Sequence, residues 1–224
     1  MSKEGDSTAR PLNGNDIRPS RASVGRLSLY LRRLESLIST GTTKVSSSLL
    51  GEALGVTDAQ VRKDLAYLGN LGQPGIGYAA PELAGAIRRV LGIDREWRVA
   101  LVGVGNLARA LLHYHGFIER GFHVVALFDA DPAKVGQRVD DLEIHAPERM
   151  AAVIADRQVE LGVLCVPGEA AQPVADALVA AGVRGLLNFA PGVLRVTAGV
   201  SVVAVDLTVQ LEQLAFLVQH HGGE

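Results

Sequence analysis

The stretch from Arg98 to Leu112 constrains this chain more than any other. Val99 to Val102 is a short unbroken apolar run, the pattern of a strand buried on both faces. Gly103-x-Gly105-x-x-Ala108 follows at once, and Leu107, Leu111 and Leu112 then fall at helical spacing. Strand, glycine turn and helix in this order are the context a dinucleotide fingerprint requires. Gly103 allows the tight turn. Gly105 lets backbone amides approach a pyrophosphate, and Ala108 is small enough for close helix–strand packing. Val104, Asn106 and Leu107 complete the loop that would line the phosphates, which belong at the positive end of the helix.

A second strand sharpens the expectation. His123 to Phe128 is β-rich and ends in Asp129. An acid at that tip can accept hydrogen bonds from a ribose 2′-hydroxyl and would repel a 2′-phosphate, so NAD(H) is favoured over NADP(H). Further strands are predicted at 142–145, 161–166, 185–188 and 200–205, with helices near 106–114, 147–155, 169–181 and 207–219. Their alternation predicts an α/β fold with a parallel sheet and right-handed crossovers. Val166-Pro167 and Asn188-Phe-Ala190-Pro191 lie just past strand ends, where such sheets hold ligands. Backbone groups there and the Asn188 amide are candidates to bracket the nicotinamide half.

The front of the chain reads differently. Residues 1–22 have the composition of a disordered tail, with Arg10, Arg18 and Arg21 as possible DNA contacts. Leu27, Leu31, Leu34 and Ile38 form a helical stripe within 24–39. A short helix over 46–55 starts from a serine cap and stops at Gly55. Thr57 to Gln60 reads as a capping box opening a third helix with Val61, Leu65 and Leu68 inward. Two helices joined by Gly-Val-Thr are a helix-turn-helix. Gln60, Arg62, Lys63 and Tyr67 are side chains suited to phosphates and base edges, and Ser47 is grouped with them. Gly69 to Tyr78 is too rich in glycine for a helix; it reads as a hairpin wing, with Gly75, Gly77 and Tyr78 on the DNA side. Pro81 to Leu91 is a further short helix, and 92–97 links to the first strand of the α/β half.

The net charge of −2 hides a basic excess in 21–98 and an acidic excess in 99–224, which implies different partners for the two halves. No apolar run is long enough for a membrane helix, and no hydrophobic leader opens the chain, so the cytoplasm is expected. The single Cys165 excludes an internal disulfide and reads as a small buried strand residue. His113 and His115, two apart, do not share a helical face, and His220-His221 sits at a fraying end, so no metal site is expected. With no substrate domain and no His–carboxylate pair, a dehydrogenase is the weaker alternative. A helix-turn-helix protein whose α/β half binds a CoA-type nucleotide is another, against which Asp129 argues. The last helix is apolar on most sides, through Leu207, Leu211, Leu214, Phe216, Leu217 and Val218, and so calls for cover from a partner subunit.

Taken together, Gln60-Val-Arg-Lys-Asp-Leu65, Gly75-Ile-Gly-Tyr78, Gly103-Val-Gly-Asn-Leu-Ala108, Phe128-Asp-Ala-Asp-Pro132, Val166-Pro167, Asn188-Phe-Ala-Pro191 and Val205-Asp-Leu207 resemble the bacterial redox-sensing transcriptional repressors of the Rex family. The resemblance runs from about Arg26 to His220. It implies a homodimeric repressor with a winged-helix domain (23–96) for double-stranded operator DNA. It also implies a Rossmann domain (97–206) for NADH or NAD+ and a domain-swapped C-terminal helix (207–224). NADH closes such a dimer and releases the DNA. Tyr114 matches a residue near the nicotinamide at the subunit interface, and Arg32 and Asp206 match a pair that meets across subunits; Asp206 reads equally well as a helix N-cap. Two departures stand out. Gln73-Pro74 replaces the basic residue usual before Gly-x-Gly-Tyr, and Ala108 stands where glycine is frequent.

Overall fold

A computed structural model describes residues 19–69, 71–73 and 75–220. Arg10 and Arg18 of the expected tail, Asn70 and Pro74 of the wing, and His221 lie outside the described residues. The chain divides into two compact units, Met1–Asp94 and Arg95–Glu224.

The first unit opens on α1 (Arg21–Ser39), where Ser20 caps the helix by accepting the Ser23 amide at 3.2 Å. The tail expected through residue 22 therefore ends earlier, and Arg21 is helical. Then come β1 (Lys44–Val45), α2 (Ser47–Glu52), α3 (Asp58–Leu65) with a 3-10 turn at Ala66–Leu68, β2 (Gly72–Gln73), β3 (Gly77–Ala79) and α4 (Ala80–Leu91). Ser46 and Thr57 cap α2 and α3 as expected. β3 pairs antiparallel with both β1 and β2, so the wing is a hairpin anchored on a third strand too short to show periodicity. Leu27, Tyr30, Leu31 and Leu34 of α1 meet Val61 and Leu65 of α3 and Leu83 and Ile87 of α4 in one core. That packing fixes the outward face of α3.

The second unit runs β4 (Trp97–Val102), α5 (Asn106–Leu112), α6 (His115–Ile118), β5 (Phe122–Phe128), β6 (Arg138–Val139), β7 (Leu142–His145) and α7 (Met150–Asp156). β8 (Leu161–Leu164), α8 (Gly168–Ala180), β9 (Gly185–Asn188), β10 (Ser201–Ala204) and α9 (Leu207–His220) complete it. The sheet order is β10-β9-β8-β4-β5-β7-β6, parallel throughout except the β6–β7 hairpin. Without β6 this is the doubly wound Rossmann order, and its switch point lies between β4 and β8. Ala100 and Val102 pack under α7 and α8, while Val99 and Leu101 face α5.

Several boundaries move. The helix expected over 46–55 stops at Glu52, short of Gly55, and the one expected over 147–155 begins as a 3-10 turn at Pro147–Arg149 before α7. The helix expected over 106–114 stops at Leu112, and Tyr114 turns extended to start α6. The strand expected over 161–166 stops at Leu164, although the Cys165 amide still donates to the Val102 carbonyl at 2.8 Å. Cys165 is thus half-buried beyond the strand rather than within it. None of the residues of α9 is buried, so nothing in the rest of the described chain covers its apolar side chains. The α5 face of the sheet keeps a groove of about 410 Å³ among Val99, Phe117, Val163, Leu187 and Val203.

Candidate functional site

The carboxyl ends of β5, β4, β8 and β9 lie side by side along one edge of the parallel sheet, with the switch point between β4 and β8. Gly103 has φ +89°, where a side chain is strained, and a Cβ there would stand 2.6 Å from the Cys165 carbonyl oxygen. Gly103 is therefore required by the protein itself, because the β4 and β8 loops touch. Gly105 differs: a Cβ added there meets nothing within 4 Å. No packing in the protein demands glycine at 105, so the space it leaves is available to a ligand approaching the backbone. Ala108 is buried against the strand, and Leu107 is exposed.

Asp129 holds this loop. It is 8% exposed, and its Oδ2 accepts the Val104 amide at 2.7 Å and the Lys134 ammonium at 2.9 Å. Oδ1 accepts the Asp131 amide at 2.9 Å. Burial would raise its pKa, but the Asp131 amide, Lys134 and the Val104 amide outweigh it and hold the carboxyl below its ordinary range. A carboxylate offers about four acceptor positions, so room remains for one further donor. Asp129, read from the sequence as a ribose acceptor, is first of all the clasp of the glycine loop. Lys134 was not singled out by the sequence; the signal was its place five residues after an acid in a tight turn.

Val166 and Pro167 follow β8, with Val166 against the Gly103 turn, and Asn188 and Ala190 lie at the end of β9. Pro167 is the N-cap of α8. The Asn188 amide, a candidate to bracket the nicotinamide half, clasps Ala190. Its Nδ2 donates to the Ala190 carbonyl and its Oδ1 accepts the Ala190 amide, both at 3.0 Å. The buried side chain thus shapes the loop, with one N–H of Nδ2 and one lone pair of Oδ1 left over. Desolvation pushes the Cys165 thiol up to about 11, which leaves it protonated and unreactive at neutral pH. Tyr114 is 52% exposed, with its ring against Gly116 and edge-on to Phe117 at 5.4 Å.

In the first unit, α3 and the wing flank a cleft of about 570 Å³ lined by Ser47, Arg62, Gly75, Gly77 and Tyr78. Arg62 donates to Asp58 at 2.6 Å and to Ser47 at 3.2 Å, while Lys63 is exposed. Gly77 has φ +89°, and a Cβ there would strike the Val45 carbonyl at 2.4 Å; Tyr78 covers Gly72. Gly77 and Tyr78 thus anchor the wing, while Gly75 has open space around it. The capping box is half made. Thr57 accepts the Gln60 amide at 3.2 Å, but the Gln60 side chain turns away and donates to Asp64 at 3.1 Å.

Asp64 is a second residue to which the sequence assigned no role. It is fully buried on α3. Arg26 grips it with Nε at 2.6 Å and Nη2 at 2.8 Å, and the Tyr30 hydroxyl donates at 3.1 Å. Burial alone would raise its pKa; Arg26, Tyr30, Ser23 and Gln60 bring it below the ordinary value instead. Arg32 is exposed on α1 in the first unit. Asp206 caps α9 in the second, accepting the Thr208 amide at 2.9 Å and the Val209 amide at 3.2 Å. Among the described residues no group of His, Cys, Asp and Glu is arranged to hold a metal, and no helix is long and apolar enough to cross a membrane.

A winged helix and a dinucleotide-type Rossmann unit in one chain define a class: DNA-reading regulators that carry a nucleotide sensor. Comparison with known proteins narrows it. Residues 19–66 match the family described as putative DNA-binding protein N-terminus, and residues 94–192 match the CoA binding domain family. The redox-sensing transcriptional repressor Rex of Carboxydothermus hydrogenoformans is 46% identical over 88% of this chain and 95% of its own. That of Streptomyces coelicolor is 47% identical over 91% of this chain and 79% of its own. A crystal structure of RSP with β-NAD+ and operator DNA aligns with TM-score 0.86 at 34% identity, covering 91% of this chain and 94% of that one. RSP with β-NADH aligns at TM-score 0.81. The chain belongs to the Rex family of redox-sensing transcriptional repressors.

Proposed function

We infer that this chain represses transcription by binding operator DNA as a homodimer and lets go when its Rossmann unit holds NADH. The observation that carries the reading is the open space at Gly105 beside a loop pinned by Asp129, in a chain so similar to Rex repressors. The residues present fit a dinucleotide. Gly103, Val104, Gly105, Asn106, Leu107 and Ala108 form the phosphate loop. Asp129 keeps acceptor capacity for a ribose hydroxyl. Val166, Pro167 and the Asn188–Ala190 loop bound the nicotinamide side, with Tyr114 near it at the subunit interface. Ser47, Gln60, Arg62, Lys63, Tyr67, Gly75, Gly77 and Tyr78 form the DNA face. A dinucleotide bound here supplies no reaction, only a nicotinamide whose charge differs between NAD+ and NADH.

The chain therefore works as a regulator in the cytoplasm and not as an enzyme. In the crevice, Asp129 is committed to three donors and the Cys165 thiol keeps its proton, which leaves neither poised for proton transfer. Repression and release are two states of one dimer. NADH shifts their balance only by its differential affinity for the released state, and DNA must weaken NADH binding by the same factor. The exposed apolar helix α9 passes to the partner, whose sheet offers the 410 Å³ groove, and Arg32 and Asp206 meet across subunits in the released state. The expected limits of 23 and 96 shift to the start of α1 and to Asp94, so that the first unit reads DNA, 95–206 holds nucleotide and 207–224 joins the dimer.

The test is a gel shift on a palindromic operator with NADH, NAD+ and CoA titrated separately. NADH is expected to release the DNA, while NAD+ and CoA leave it bound. Equal response to NADH and NAD+ overturns the redox reading, and response to CoA alone would reassign the nucleotide. Deleting residues 207–224 is expected to yield monomers; an intact dimer in light scattering overturns the exchanged helix.

A further inference from the structure

The recognition helix carries a buried acid whose partners are all accounted for. Asp64 receives four hydrogen bonds, two from Arg26 and one each from Tyr30 and Gln60. That fills the four positions a carboxylate offers. Arg26 also reaches Ser23, whose hydroxyl meets the N-cap hydroxyl of Ser20 at 3.1 Å. A continuous polar chain thus runs from the start of α1 to the start of α3.

The consequence falls on Gln60. An ionised carboxylate can only accept, so the Gln60 amide must turn its nitrogen toward Asp64 Oδ1. Its carbonyl oxygen is then fixed on the side away from Asp64, with one N–H left over. Gln60 lies in the first turn of α3, from which recognition helices reach base edges. An amide fixed this way presents an acceptor beside a donor, which matches adenine N6–H and N7. It mismatches guanine, whose major-groove edge offers acceptors alone, and thymine, which offers an acceptor and a methyl group.

We propose that Asp64 is a positioning residue for operator specificity, holding Gln60 in the one amide orientation that reads adenine in the major groove. This rests on the reading of α3 as the DNA-contacting helix. Arg26 neutralises the acid, so the negative charge so close to the DNA face does not repel phosphate.

The experiment uses the full-length dimer and a panel of operators in which each half-site base pair is changed in turn. Wild type is expected to lose about tenfold or more at one adenine position when it is replaced. Gln60→Ala should abolish the preference at that position alone and leave the others intact. Asp64→Asn offers Gln60 both a donor and an acceptor, so the amide can turn over. It should erode the same preference, and Asp64→Asn should add nothing at that position in the Gln60→Ala background. A uniform loss across the whole panel in Asp64→Asn means that Asp64 only supports the fold, and overturns the proposal. Wild type that binds no operator would instead sink the repressor reading itself. Should Asp64→Asn fail to fold, side-chain amide NMR of the wild type decides. One Gln60 Nε2 proton is expected shifted downfield and protected from exchange, with the signal absent in Gln60→Ala. Two averaged, fast-exchanging protons overturn the proposal.

Discussion

The two units each bury one aspartate at the base of their functional element, and they satisfy it by different means. Asp129 is held by two backbone amides and one lysine, all within 25 residues of it in the chain. Asp64 is held by side chains, chiefly Arg26, 38 residues away on another helix. A carboxylate bound by backbone amides shapes a loop and tolerates the loss of one donor. A carboxylate bound by a guanidinium joins two helices, and neither charge can stay in place without the other.

The contrast is broken most forcefully by removing the acids. Asp64→Ala leaves the Arg26 guanidinium, three-quarters buried, without its partner. Breaking such a pair costs about 3 kcal/mol or more, and calorimetry should show the winged-helix unit melting several degrees earlier. Asp129→Ala leaves the Val104 amide unpaired, at about 1–3 kcal/mol, while Lys134, one-third exposed, turns to water. Its main effect should be on the nucleotide, with NADH affinity about tenfold weaker by calorimetric titration and operator binding without NADH retained. If Asp129→Ala destabilised the protein as much as Asp64→Ala, the distinction drawn between them would be wrong.

Acid sharpens the same comparison with a smaller effect. Both carboxyls sit below their ordinary range in the folded protein. Each therefore contributes stability that is complete above the unfolded value of about 4 and is lost as pH falls through that value toward the folded one. Melting temperature should drop between about pH 5 and 3. Asp64→Asn carries no proton at this site, so its drop should be shallower. An identical slope would mean that Asp64 is not held ionised.

What the sequence made legible follows from this difference in range. Gly103, Gly105 and Asp129 belong to a local pattern, and the strand, turn and helix around them appeared nearly where expected. Strands 142–145 and 185–188 matched residue for residue. The capping serine and threonine were equally local, since a cap is decided within three residues. The Arg26–Asp64 pair was not legible, because no periodicity links residues on two helices and an acid in a polar helix reads as solvated. Asn188 was visible as the residue that ends a strand, but its commitment to Ala190 depends on a turn geometry that the letters do not carry. The two-residue β1 and β6 were too short to alternate.

The smallest expected effect separates positioning from reading on α3 itself. Arg62 is already shared between Asp58 and Ser47, so its charge is partly occupied before DNA arrives. Lys63 is exposed beside it. An ammonium on a phosphate adds affinity that every sequence receives alike and that salt removes. Lys63→Ala should therefore weaken all operators by a similar factor and lower the slope of log affinity against log salt by about one. Gln60→Ala should instead leave that slope unchanged and alter one base position. If Lys63→Ala changed the base preference while sparing the salt slope, the two side chains would have exchanged the roles assigned to them, and the Asp64 network would no longer have a base-reading partner to hold.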